Sequence, residues 1–257
     1  MERKITDWGG CIVAFIAVLL VNYLSNALPL NGQTPKDVSD NFPTLFTPAS
    51  FTFAIWGVIY LALALFVAYQ AFPAQRKNAL IATVSKIFII NCVANILWIF
   101  CWHYNLMGLS LVIMLVILVT LIKIYNKLGI ANSPATFSQH LFLFLPFSLY
   151  LGWISVATLA NISVLQVAMG WENLGLSEVN WTLLKLAIAA VVGVVVVLRR
   201  GDIFFGLVIV WAANGIMTKQ VETPEVFGAA GMVGATVIIL VAFESIRQLL
   251  GNSSAPK

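Results

Sequence analysis

Charge is what this sequence has least of. Asp, Glu, Lys and Arg make up 9% of its 257 residues, against ~25% in a soluble globular domain. A chain with so little polar surface cannot form the hydrated shell of a cytosolic enzyme, and it cannot be a disordered segment. The formal net charge of +4 does not point to nucleic acid, because the basic residues are scattered between apolar runs instead of forming a patch. Chemistry-bearing residues are equally scarce. There are two histidines, His103 and His140, placed at opposite helix ends without a matching Cys or carboxylate spacing, so no metal site follows and both read as interface residues. Gly-rich phosphate loops, HExxH and GxSxG are absent. The three cysteines, Cys11, Cys92 and Cys101, fall inside apolar runs and read as packing thiols, which leaves no disulfide framework.

Apolar residues fill the space left by charge. They reach 61% of the chain, with a mean hydropathy of +0.96. A bilayer-spanning helix needs ~20 mostly apolar residues, and eight segments qualify: roughly 9–29, 50–72, 80–103, 107–125, 140–161, 181–198, 203–218 and 227–248. All are too long and too uniformly apolar for the alternating ~10-residue strands of a membrane barrel. The fold class is therefore all-α, a polytopic transmembrane helical bundle of about eight spans. Ser25-Asn26-Ala27 resembles a small-residue cleavage site after the basic start at Arg3 and Lys4. The apolar stretch exceeds the ~7–15 residues of a signal h-region, however, so the first segment is expected to be a retained span.

Orientation follows from Lys and Arg. With eight spans, one side receives Arg3, Lys4, Arg76, Lys77, Lys86, Lys123, Lys127, Arg199, Arg200, Arg247 and Lys257, and the other only Lys36 and Lys219, with Lys185 just inside a span. Both termini are expected in the cytoplasm. The opposite side is acidic, with Asp37, Asp40, Glu172, Glu178, Glu222 and Glu225. Lys86, Lys123 and Lys185 lie close enough to helix ends to snorkel, and Glu244 is spaced to pair with Arg247. No proton relay emerges, which disfavours an ion-coupled pump. Two outer loops are long, 30–48 with Pro35, Pro43 and Pro48, and 162–180 with Met169-Gly170-Trp171. Small residues at Ala189–Gly193, Gly228, Gly231 and Gly234 suit close helix packing, or the face of a homodimer.

The eight tryptophans carry the most information. Trp8, Trp102, Trp171 and Trp181 lie at span ends, where an interfacial belt places them. Trp56, Trp98, Trp153 and Trp211 lie deeper, up to about eight residues or ~12 Å below the outer ends. Asn91, Asn95, Thr158, Asn161 and Asn214 occupy comparable depths. One reading is an aromatic pocket in the outer leaflet, floored by amides and covered by the 30–48 loop, suited to a flat apolar ligand with a few polar atoms. The other is ordinary packing, with amides joining neighbouring helices.

Three motifs sharpen the choice. Pro48 is followed by Trp56-Gly57 and Tyr60. The third span reads Asn91-Cys-Val-Ala-Asn95-Ile-Leu-Trp98. The fifth reads Trp153-Ile-Ser-Val-Ala157-Thr158-Leu-Ala-Asn161. In this order and on these helices they resemble the TspO/MBR family, the tryptophan-rich sensory or translocator proteins. The resemblance covers about residues 9–165 and divides the chain into a five-helix ligand-binding bundle, 1–165, and a three-helix membrane extension, 166–257, without counterpart in the five-helix family. Phe42 and Phe46 stand where that family usually has tryptophans.

The resemblance implies a pocket for porphyrins, sterols and aromatic compounds, and frequent homodimers. Carried over residue by residue, it implies ligand-binding roles for Trp56, Tyr60, Asn91, Asn95, Trp98, Trp153, Ala157 and Asn161. It requires no cofactor; porphyrin or haem would be ligand. The expected function is an integral protein of the cell membrane (plasma or inner) that binds or senses lipophilic aromatic molecules, in contact with membrane lipid and without nucleic acid. A secondary transporter of a small lipophilic substrate is one alternative. Light-dependent porphyrin breakdown supported by Trp56 and Trp153 is the other, and the one route to an enzymatic role.

Overall fold

The computed structural model describes residues 3–131, 135–171 and 175–253. Glu172 and Lys257, counted above among the orienting charges, lie outside the described residues. Within them the chain is helical, and seven helices are long and apolar enough to cross a membrane, with Ile203–Lys219 as a shorter apolar helix. The polytopic helical bundle expected from the sequence is what forms. At 17 residues, the shorter helix extends ~25 Å, somewhat less than the ~30 Å hydrocarbon core.

The chain falls into two compact units. The first comprises Met1–Thr44 and Ala54–Trp171, the second Leu45–Phe53 and Glu172–Lys257. The first unit holds α1 (Ile5–Ala27), α2 (Pro35–Asn41), α3 (Ile55–Ala71), α4 (Ala79–His103) and α5 (Met107–Leu128). A short helical turn, α6 (Phe137–Gln139), then leads through a π-helical turn (His140–Phe144) into α7 (Leu145–Ala168). Pro146 explains the π-turn, since it has no N–H to donate and crowds the preceding carbonyls. Helix α1 packs on α3 and α4, α4 on α5, α5 on α7, and α7 back on α3. These five long helices therefore close a ring.

Inside this ring the side chains form layers. Arg3 marks one end, buried, with Nη1 donating to the Gln70 carbonyl (2.8 Å) and Nη2 to Ser85 Oγ (2.8 Å) and Gln70 Oε1. Its cation meets an orphan carbonyl in the last turn of α3, a favourable place for positive charge. Arg76 stacks over Trp8 at the same end, 5.0 Å from the ring centroid. Next comes a plug of four phenylalanines from four helices, Phe15, Phe66, Phe88 and Phe147, with centroids 4.9–6.4 Å apart. Beyond the plug lies a Trp/Tyr layer, and beyond that the start of the first loop.

The second unit contains α8 (Glu178–Arg200), α9 (Ile203–Lys219) and α10 (Pro224–Ser253), each packed on the other two. Its tightest turn is legible as Gly201-Asp202. Gly201 ends α8 at φ 69°, a left-handed cap that glycine adopts without strain. Asp202 then caps α9 by accepting from the Phe205 N–H at 3.0 Å. Glycine also sets the packing distance, because a Cβ at Gly206 would lie 2.6 Å from methyls of Val197 and Val241. The expected Glu244–Arg247 pair forms at 2.8 Å, and Gln248 ties this end of α10 to the Gly201 carbonyl at 2.7 Å.

Several sequence expectations need correction. Helix α7 runs on to Ala168 instead of ending near 161, because Ser163, Val164 and Gln166, polar enough to suggest a loop, form a buried face. The 30–48 loop is not one cover: it contains α2, and from Leu45 onward it belongs to the second unit. Lys185 is buried instead of snorkelling, unlike the exposed Lys86 and Lys123, since it lies on the α8 face it shares with buried Thr182. His103 is likewise buried instead of interfacial, with Nδ1 2.7 Å from the Ile99 carbonyl. Gly206→Val should therefore strain the second unit by about 1–3 kcal/mol, read as a lowered unfolding temperature in detergent, whereas Gly228→Val, whose Cβ would meet nothing within 4 Å, should leave it unchanged.

Candidate functional site

Trp56 is the hub of the Trp/Tyr layer. It enters from the first turn of α3 and is half-buried. Tyr60, one turn further along the same face, stacks on it at 5.3 Å and 27°. Tyr150 and Trp153 on α7 meet it edge-to-face, at 5.9 Å and 66° and at 6.3 Å and 83°. Such tilted and offset arrangements are the ones the ring quadrupoles favour. A run of side-chain hydrogen bonds backs the layer. Asn22 of α1 donates to Asn95 Oδ1 at 3.1 Å, and Asn95 Nδ2 donates to the Tyr150 hydroxyl at 3.0 Å. Three helices are thus joined through one amide.

Of the eight candidate residues, Trp56, Tyr60, Asn95 and Trp153 come together here. Trp98 lies one layer nearer the loop, stacked on Trp102 at 5.1 Å and 22°. Asn91 and Asn161 turn toward α5. Asn91 Nδ2 donates to Thr120 Oγ1 (2.8 Å) and the Ile117 carbonyl (3.2 Å), and Asn161 Nδ2 donates to Ser110 Oγ at 3.1 Å. Their amides join α4 and α7 to α5. Ala157 is half-buried on α7, one turn beyond Trp153. Trp211, left open as pocket or packing, packs within the second unit: its Nε1 donates to the Thr52 carbonyl at 2.8 Å.

Two polar atoms in these layers stand out. The Tyr60 hydroxyl and Trp98 Nε1 are buried with no hydrogen-bond partner among the described residues. A buried donor left unmade costs ~1–3 kcal/mol, so such groups ask for an explanation.

The first half of the loop covers this end of the ring. Asn31 and Gly32 both have positive φ (55° and 70°), and Gln33 N–H donates to the Leu30 carbonyl at 3.1 Å. That is the mirror-image tight turn for which Asn-Gly is the favoured pair. Asn31 Nδ2 donates to the His103 carbonyl at 3.0 Å. Thr34-Pro35-Lys36-Asp37 then starts α2 with a reciprocal capping box: Thr34 Oγ1 accepts from Asp37 N–H at 3.2 Å, and Asp37 Oδ2 accepts from Thr34 N–H at 2.8 Å. Proline at the first helical position completes the signature. Lys36 pairs with Asp40 one turn on, which raises its pKa above the ordinary lysine value. Helix α2 lays Val38, fully buried, against Trp102, Met107 and Val164, with Phe42 and Trp98 at the edge. The Trp102 indole donates to the Pro35 carbonyl at 3.2 Å.

Sequence reasoning missed Tyr150, Asn22 and Val38. The first lies three residues before Trp153, on the same helical face. The second is one of two amides, with Asn26, near the end of an apolar run. The third is the one apolar residue inside a polar heptapeptide.

Two outcomes test this construction. The Asp37 carboxyl is held below its ordinary pKa by the Thr34 backbone N–H and hydroxyl. A depressed folded-state value gives stability that is present above the unfolded pKa and lost as pH falls through the folded one. Corrected exchange protection of the α2 amides should thus fall as pH drops from about 4, and Asp37→Asn should lack that protection already at neutral pH. Asn95→Ala leaves the Tyr150 hydroxyl buried without its donor and should lower stability by about 1–3 kcal/mol; an unchanged thermal midpoint would show that the Asn22–Asn95–Tyr150 run is not holding the ring.

The sequence profile of the TSPO-like protein family matches residues 9–243. The match runs from within α1 through α8, α9 and most of α10. No curated protein and no solved structure matches the chain. The chain belongs to the TSPO-like family.

Proposed function

We propose that this member of the TSPO-like protein family is a multi-pass membrane protein that binds a flat, lipophilic aromatic ligand, of the tetrapyrrole class, in the Trp/Tyr layer of its five-helix unit. The observation that carries the reading is the meeting of Trp56 with Tyr60, Tyr150 and Trp153 beside two buried donors without partners, the Tyr60 hydroxyl and Trp98 Nε1. Aromatic faces suit a planar apolar ligand, and unpaired donors suit one carrying a few acceptors such as carboxylates. A helical cover anchored to Trp102 is consistent with entry from the loop end, and the phenylalanine plug with a site closed at the other. The tetrapyrrole class itself comes from the motif resemblance carried by Trp56, Asn95, Trp98 and Trp153.

Among the eight candidates, the geometry favours Trp56, Tyr60, Trp98 and Trp153 as contact residues, with Asn95 positioning Tyr150. Asn91 and Asn161 serve the ring from outside the layer, since their donors are committed to α5. Titration of the detergent-purified protein with protoporphyrin, followed by calorimetry and by quenching of tryptophan fluorescence, tests the reading. Saturable binding is expected, weakened at least about tenfold by Trp56→Phe or Trp153→Phe, in keeping with the ~0.5–1.5 kcal/mol of an aromatic pair added to lost contact area. Asn161→Ala should leave affinity unchanged. Equal affinity in wild type and both tryptophan variants would remove the pocket assignment.

A further inference from the structure

Nine residues, Leu45–Phe53, from the end of the first loop into the helical turn that leads to α3, are built into the C-terminal unit. The attachment is specific. The Leu45 N–H donates to Glu178 Oε1 at 3.0 Å, at the start of α8. The Ala49 N–H donates to the carbonyl of Gly215 in α9 at 3.0 Å. The Thr52 carbonyl accepts from Trp211 Nε1 at 2.8 Å, and Phe51 meets the Trp211 ring edge-on at 5.5 Å and 85°. Phe46 and Thr52 are fully buried. Thr52 occupies the space a side chain at residue 215 would need, because a Cβ built on Gly215 would fall well inside contact distance of Thr52 Oγ1, Cβ and Cγ2. Glycine at 215 is therefore demanded by the strap and not by its backbone, which is ordinary helix.

The strap is covalently continuous with two parts of the ligand-binding reading. Through Thr44 it joins the α2 cover. Through Ala54 it joins the first turn of α3, which carries Trp56. We propose that α8–α10 serve as a retaining clamp: by holding residues 45–53 they restrain the cover at one end and the Trp56 turn at the other, and so set how fast ligand leaves. Glu178, Trp211 and Gly215 are positioning residues in this scheme and touch no ligand. The inference rests on the ligand reading above for its kinetic consequence, but its structural premise stands apart from it.

The experiment uses the whole chain in detergent and the Gly215→Val variant, with Gly228→Val as the control and Trp211→Phe as a milder second variant that keeps an aromatic ring, though a smaller one, and removes the indole N–H. Exchange of amides in 45–53 and in α2 is followed by mass spectrometry, and protoporphyrin release by stopped flow. Gly215→Val is expected to speed exchange in both segments and ligand release by at least about tenfold, and Trp211→Phe by several-fold, as befits one hydrogen bond. Gly228→Val should change neither. Unaltered exchange of 45–53 in both Gly215→Val and Trp211→Phe overturns the clamp, as does faster exchange of the strap with α2 exchange and release both unchanged. If wild type fails to bind protoporphyrin, the ligand reading falls while the clamp is still decided by whether α2 loosens together with the strap.

Discussion

Lipid offers no hydrogen bonds, so every polar group inside a span must find its partner within the protein. That constraint organises the five-helix unit. Asn22, Asn95 and Tyr150 join α1, α4 and α7; Asn91 and Thr120 join α4 to α5; Asn161 and Ser110 join α7 to α5. Each link is modest, since interhelical hydrogen bonds in membranes average ~0.6 kcal/mol, but each specifies which neighbour a helix takes and in what rotation. The ring is the joint solution, and the Trp/Tyr layer is the part of its interior that these links leave to aromatic surface. Against that background the unpaired Tyr60 hydroxyl and Trp98 Nε1 are conspicuous.

What the sequence discloses follows from which signals are local. Span existence, the Gly201-Asp202 turn and the shared face of Trp56 and Tyr60 are written in composition, capping residues and helical spacing and can be read from short windows, whereas the grouping of Trp153 with them is what the motif resemblance implies. The extent of α7 is not legible locally, because Ser163 and Gln166 look like loop residues until their buried face is known. The burial of Lys185 and His103 is hidden for the same reason: burial of a polar side chain depends on what packs opposite it, which is not a local property. Asn91 and Asn161 share their motifs with Asn95 and Trp153, yet only the rotation of each helix reveals that their amides serve α5. Division of the first loop between two units is the least local feature, being fixed by contacts to residues 178, 211 and 215.

The second unit gains an internal logic from these contacts. A three-helix group with its own glycine-mediated packing around Gly193 and Gly206 is self-contained apart from one borrowed segment of chain. That segment fills the gap beside Gly215 with a threonine, so the unit's packing is completed by a stretch of chain whose first residue, Leu45, lies 133 positions before its partner Glu178. Loop-closure entropy grows only slowly with length, so such a loan costs little to close. It also makes folding of the C-terminal helices depend on a segment synthesised long before them.

The phenylalanine plug has a bearing on flux. Phe15, Phe66, Phe88 and Phe147 come from four of the five ring helices and touch one another across its interior. Truncating a single buried phenylalanine costs ~3–5 kcal/mol, and a molecule passing from one face of the membrane to the other through the ring would have to part all four. In this conformation the four rings fill the interior between the Arg3 end of the unit and its loop end.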